Sequence, residues 1–184
     1  MINKGEPLRP NSAGMGLKDS SSLLIPGYWL RPGCEQEDTL LVEFLQRTYQ
    51  ELCGAHNWKH LTQTVAQYLS SQTPLWWVED EALHKSGAAF NPVACLWLGN
   101  VVDQIQGDRH TYIFLLYVMP EHRRRGIGSA LMYQAETWAR AQGDRQIGLQ
   151  VFQFSQSTLA FYQSLGYQTQ ALWMVKPLAF QVDS

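Results

Sequence analysis

Apolar positions along this chain recur first at helical and later at strand spacing. Residues 1–24 carry glycines, prolines and serines with hardly any apolar pattern, and read as a polar N-terminal tail ahead of a folded body at 25–184. The body opens with a short apolar run at 28–31 that ends on Pro32 and Gly33, a strand candidate. From Asp38, a residue type suited to an N-cap, Leu41, Phe44, Leu45, Thr48, Tyr49 and Leu52 fall on one helical face, and Gly54 stops the helix. Trp58, Leu61, Val65, Tyr68 and Leu69 repeat that spacing as far as Ser70 and Ser71.

Then the period changes. Residues 75–78, 93–102 and 111–118 are short apolar or aromatic runs separated by acidic and glycine-containing turns, which predicts strands, the last two joined as a hairpin near Gly107 and Asp108. After Pro120 comes a basic loop. A helix follows with Ile127, Leu131, Ala135, Trp138 and Ala139 on one side, closed by Gly143. Residues 147–151 read as a strand, 158–165 as a helix stopped by Gly166, and 167–175 as a final strand. Strands and helices interleaved in this way predict an α/β (α+β) domain, a mixed sheet covered by helices.

Composition narrows the function classes. Hydrophobic residues make up 45% of the 184 positions, enough for a sizeable core, while charged residues are only 16%. A formal charge of -2 disfavours broad electrostatic capture of nucleic acid. The longest strongly apolar run, 113–119, is far short of a bilayer span, so no membrane insertion is expected and the cytoplasm is the default address. Three widely spaced cysteines, Cys34, Cys53 and Cys95, suit reduced buried thiols better than a disulfide frame or a zinc site.

The most informative segment runs Pro120-Glu121-His122-Arg123-Arg124-Arg125-Gly126-Ile127-Gly128-Ser129, between an apolar strand and an amphipathic helix. The first N–H groups of a helix have no intrahelical acceptor and the macrodipole is positive there, so an anion is stabilised. Gly126 and Gly128 allow close backbone approach, and Arg123, Arg124 and Arg125 add mobile positive charge. A pyrophosphate-bearing molecule fits this chemistry. The P-loop spacing is absent, and Leu131 stands where a dinucleotide fingerprint requires its third glycine.

These residues resemble the GNAT superfamily of N-acetyltransferases, whose acetyl-CoA loop reads Arg/Gln-x-x-Gly-x-Gly/Ala; Arg123-Arg124-Arg125-Gly126-Ile127-Gly128 matches every fixed position. Leu116-Tyr117-Val118-Met119-Pro120-Glu121 looks like the family's strand ending and turn. Leu149-Gln150-Val151 and Ala160-Phe161-Tyr162-Gln163-Ser164-Leu165-Gly166-Tyr167 resemble the second family motif. The resemblance implies a mostly antiparallel sheet, splayed between its fourth and fifth strands and flanked by about four helices. It further implies acetyl-CoA as co-substrate, a small-molecule or peptide amine as acceptor, no metal, and a homodimer as one assembly open to the chain.

Carried over residue by residue, Arg123, Arg124, Arg125, Gly126, Ile127, Gly128 and Ser129 would hold the phosphates. Leu116 and Val118 would offer main-chain contacts to the pantetheine arm, Ser155 would stand where the family often has Asn, and Tyr162 would be the general acid for the leaving thiolate. The strand at 113–118 lacks the carboxylate that many relatives place there. Glu79, His110 and Tyr112 are the candidates for a general base, with a water chain as the alternative. Trp76 and Trp77 point to opposite sheet faces, so one of them is a candidate wall of the acceptor cleft, whereas Cys95 reads as a buried thiol. The missing carboxylate also leaves open a non-catalytic acyl-CoA-binding module. An RNA-binding reading of the arginines is disfavoured by the net charge.

Overall fold

The computed structural model describes residues 22–54, 57–86, 89–103 and 106–178. Six strands form one sheet in chain order: β1 (Ser22–Ile25), β2 (Tyr28–Pro32), β3 (Leu75–Asp80), β4 (Ala94–Val102), β5 (Arg109–Val118) and β6 (Ile147–Leu149). The first five pair antiparallel, while β6 runs parallel to β5. A parallel neighbour needs a crossover, and α4 (Ile127–Ala141) supplies it. The remaining helices are α1 (Asp38–Cys53), α2 (His60–Tyr68), α3 (Glu81–Ser86) and α5 (Gln156–Ser164).

Period-two alternation in the strands separates two cores. Leu30, Trp76, Val78, Leu96 and Leu98 face α4 and α5, where they meet Ile127, Leu131, Ala135 and Tyr162. Trp77, Cys95, Trp97, Leu115 and Tyr117 face α1 and α2, against Leu41, Phe44, Leu61 and Val65. With both faces covered, β3 and β4 are almost continuously buried and lack the polar alternation of a one-sided sheet.

The two long helices and the β4–β5 hairpin form where the apolar spacing puts them, and α1 ends at Cys53 with Gly54 at φ +77°. Four segments differ from expectation, one of them α3, a short helix where an acidic turn is expected. Residues 22–24 of the expected tail join Ile25 in β1, held by antiparallel pairing to β2, and the rest of that tail lies outside the described residues. Because β1 adds a strand, the expected splay falls between β5 and β6. Those strands pair only from Thr111 with Ile147 to Ile113 with Leu149 and then part, which is why β6 stops short of 151.

The predicted strand at 167–175 does not form. A strand exists only with a hydrogen-bonded neighbour, and none of the described residues offers one, so Leu172, Trp173, Met174 and Val175 stay exposed. No helix among the described residues is long and apolar enough to cross a membrane.

Candidate active site

The chain leaves β5 at Val118, makes a single 3-10 turn at Pro120–His122 and enters α4 through Arg124 at φ +61° and Gly126 at φ +88°. Both left-handed positions tilt successive peptide N–H groups toward one side, and a side chain is costly at the second. Gly126 is the N-cap, with no capping side chain. None of the N–H groups from Arg124 to Ser129 donates to a backbone carbonyl of a described residue; the first to do so is Ala130, on Gly126 O at 3.0 Å. Six orphan donors at the positive end of a 15-residue helix fit a pyrophosphate. A Cβ on Gly128 would lie 3.3 Å from the Phe161 ring, so glycine there lets the start of α4 close against α5.

The loop forms one end of a cavity of about 760 Å³ in the opening between β5 and β6. Ile113 to Val118 of β5 form one side, including the expected Leu116 and Val118. Leu149 to Phe152, Ser155, Phe161 and Tyr162 lie across from them, and Thr48, Tyr49, Glu51 and Leu52 of α1 complete the wall. Tyr162 is only 9% exposed and lies against Phe161 and Tyr167. Its hydroxyl has no hydrogen-bond partner among the described residues, and burial pushes its pKa up to about 12, so it is a standing proton donor at neutral pH.

The three arginines do not act alike. Arg123 turns back: its Nε donates to Val118 O at 2.8 Å, and its guanidinium pairs with Glu51 at 2.6 Å. Arg125 donates to the Tyr28 hydroxyl at 2.9 Å, which His122 Nδ1 also meets at 3.0 Å, and Arg125 is not on the cavity wall. Arg124 alone among them lines the cavity without a bond or ion pair to a described residue. Ser155 is on the wall, but its hydroxyl donates to Thr158 Oγ1 at 2.7 Å and does not cap α5.

None of the three base candidates lies on the cavity wall. Glu79 sits on β3 opposite Trp29 of β2, bonded to His84 Nδ1 at 3.1 Å. His110 is buried, with Nδ1 against Gln146 at 3.2 Å, and Tyr112 is half-buried beside Phe114. Neither Trp76 nor Trp77 reaches the cleft: both are core, and Trp77 donates its indole N–H to Glu37 at 2.9 Å. Cys95 is fully buried, and burial pushes its thiol well above the ordinary value, whereas Cys34 and Cys53, expected to be buried, are free and exposed at the two ends of the segment 34–53.

The residue that sequence reading missed is Glu51, the only carboxylate among the residues that line the cavity. Its two oxygens accept from the Tyr117 hydroxyl and from Arg123, tying α1 to β5 and to the anion loop. Burial, and next the Glu51 carboxylate, raise the Tyr117 pKa to about 12 against the opposing charge of Arg123. No local signal could have found it, because in sequence Glu51 is one polar residue at the end of an amphipathic helix.

A model of the Acetyltransferase (GNAT) family matches residues 41–167. The chain is 30% identical over 129 residues to "N-acetyltransferase family 8 member 3" of Rattus norvegicus, covering 70% of this chain and 52% of that protein. It thus spans about half the length of the curated relatives it matches. Among solved structures, one described as a "predicted acetyltransferase with acetyl-CoA" from Clostridium acetobutylicum superposes with a TM-score of 0.65 at 18% identity, covering 82% of this chain and 96% of that one. An aminoglycoside antibiotic 6'-N-acetyltransferase from Acinetobacter haemolyticus does so with a TM-score of 0.60 at 18% identity, covering 82% and 99%.

Proposed function

Because the chain belongs to the acetyltransferase (GNAT) family, we propose that it is an N-acetyltransferase carrying acetyl from acetyl-CoA directly to a primary amine of a small molecule or peptide. The observation that carries this reading is one continuous cavity lined by five residues with orphan N–H donors, Arg124 and Gly126 to Ser129, and by the unpartnered Tyr162 hydroxyl. Acetyl-CoA supplies the thioester, an acyl group already activated toward an amine.

The residues of this chain bind, orient and move a proton. The N–H groups of Arg124 and of Gly126 to Ser129, with the Arg124 side chain, hold the phosphates. Past Ile113, β5 has lost its β6 partner, so backbone groups of Leu116 and Val118 are available to the amides of the pantetheine arm as a substitute strand. Val118 O already accepts from Arg123 and retains a second lone pair. Tyr162 gives its Oη proton to the leaving thiolate and regains one through solvent from the attacking nitrogen, which loses a proton as the amide forms.

The acceptor must arrive as a neutral amine, and no uncommitted carboxylate on the wall takes its proton. A cavity with apolar walls disfavours the ammonium form, so the proton is left in solvent as the amine is desolvated. The same shortage of a base favours a second reading, an acyl-CoA-binding module without turnover. Equilibrium titration with acetyl-CoA, followed by thiol release on adding a panel of primary amines, separates the two. Binding with amine-dependent thiol release is expected; binding with no release across the panel would sink the transferase reading.

A further inference from the structure

The end of the cavity away from the anion loop differs in chemistry from the loop end. Glu51 stands beside Tyr117 and Arg123, near the loop. Further back along β5 come Phe114 and Ile113, and on α1 Thr48 and Tyr49. An extended cofactor whose phosphates sit at residues 124–129 presents its acyl end there, so these side chains meet the acceptor.

Two rings in this region are held rigidly. Phe114 occupies the space over Gly99, where an added Cβ would fall 1.9 Å from the ring, and it contacts Trp97 and Tyr68. Tyr49 stacks on Trp58 at 5.5 Å. Burial raises the pKa of both Tyr49 and Tyr112, and the Tyr49 hydroxyl is close enough to raise Tyr112 further. The neutral Tyr49 phenol and a fixed phenyl face, that of Phe114, therefore bound this end. Fixed aromatic faces take up flat apolar surface at little entropic cost.

Charge points the same way. The one wall carboxylate, Glu51, has both oxygens committed, to the Tyr117 hydroxyl and to Arg123. No other described residue on the wall carries a carboxylate to offset a second or third ammonium.

Resting on the transferase reading above, we infer that the acceptor is a primary monoamine carried on an apolar, ring-bearing body, seated between Tyr49 and Phe114, and that polycations are rejected. The contrast is with a fold neighbour named for an aminoglycoside antibiotic as its acceptor, a class that carries several amines.

The test uses the full chain and first measures acetyl-CoA affinity by calorimetry; no binding at this step would end the transferase reading itself. Initial rates are then taken with 2-phenylethylamine, spermidine and kanamycin. The ring-bearing monoamine is expected to exceed both polycations in kcat/KM by at least about 100-fold, a difference within reach of a site that leaves charges unpaired. Tyr49→Ala should raise KM for 2-phenylethylamine about tenfold with acetyl-CoA affinity unchanged. Thr48→Glu, which adds a carboxylate at the same end without removing a ring, should shift the kcat/KM ratio toward spermidine about tenfold. Either polycation matching the monoamine, both variants leaving the ratio and KM unmoved, or acetyl-CoA binding without turnover of the ring-bearing amine would overturn the inference.

Discussion

Replacing Tyr162 by Phe removes one oxygen atom and little else. The ring is 9% exposed and keeps its contacts with Phe161 and Tyr167, and the lost hydroxyl has no partner among the described residues. Folding stability should therefore change by no more than about 0.5 kcal/mol, since no paired donor or acceptor is stranded. If that hydroxyl protonates the leaving thiolate, kcat should fall by about 10²–10⁴-fold, equivalent to roughly 3–5 kcal/mol of transition-state stabilisation. Acetyl-CoA affinity should be retained. The assay is thiol release under saturating amine, with urea unfolding and calorimetric binding on the same preparation. A further readout comes from pH: with its pKa pushed up to about 12, Tyr162 stays protonated through pH 10 and should impose no basic limb on wild-type kcat below that point. A Phe variant with kcat within about threefold of wild type would refute the acid role and leave Tyr162 as a packed aromatic.

Three other outcomes follow from specific contacts. Gly128→Val pushes branched atoms into the Phe161 ring, already 3.3 Å from where a Cβ would stand, and should cost about 1–3 kcal/mol in urea unfolding; a variant as stable as wild type would contradict the packing. Glu79→Gln loosens the bond to His84 away from the cavity, so kcat should stay within about twofold while stability drops, and a hundredfold loss of kcat would contradict that placement. Stability should also fall as pH rises from 10 toward about 12. Tyr117 and Tyr162 both have raised pKa values in the folded chain, so the unfolded phenols ionise first and the stabilising contribution, complete below pH 10, is lost through that window. A urea midpoint flat across the same range would contradict the burial of these hydroxyls.

What was legible in the sequence was what is local. The loop at 123–128 and the start of α4 declare themselves because glycine spacing, a strand before and an amphipathic helix after lie within one stretch. Helix stops and the β4–β5 hairpin are local in the same sense. Side-chain direction within the loop was not legible: Arg123 and Arg125 look like free cations until the fold brings Glu51 from α1 and Tyr28 from β2 beside them. Residues 167–175 illustrate the converse, since their alternation supplies strand propensity while pairing depends on an absent neighbour. Glu79 misleads for the same reason, because its distance from the cleft is set by two intervening strand pairings that no short motif encodes.

The central claim is that the orphan N–H groups between Arg124 and Ser129 bind the phosphates of acetyl-CoA. Its most direct test is calorimetric titration of acetyl-CoA into wild type and into Gly126→Val. A Cβ at Gly126 has room, with Ile25 at 3.8 Å, but φ +88° strains a branched residue by about 1–3 kcal/mol, so the loop rather than the core should give way. The account predicts saturable one-to-one binding in wild type, weakened at least about tenfold in a variant that remains folded. Equal affinity in the two proteins, or no binding in wild type, would contradict it.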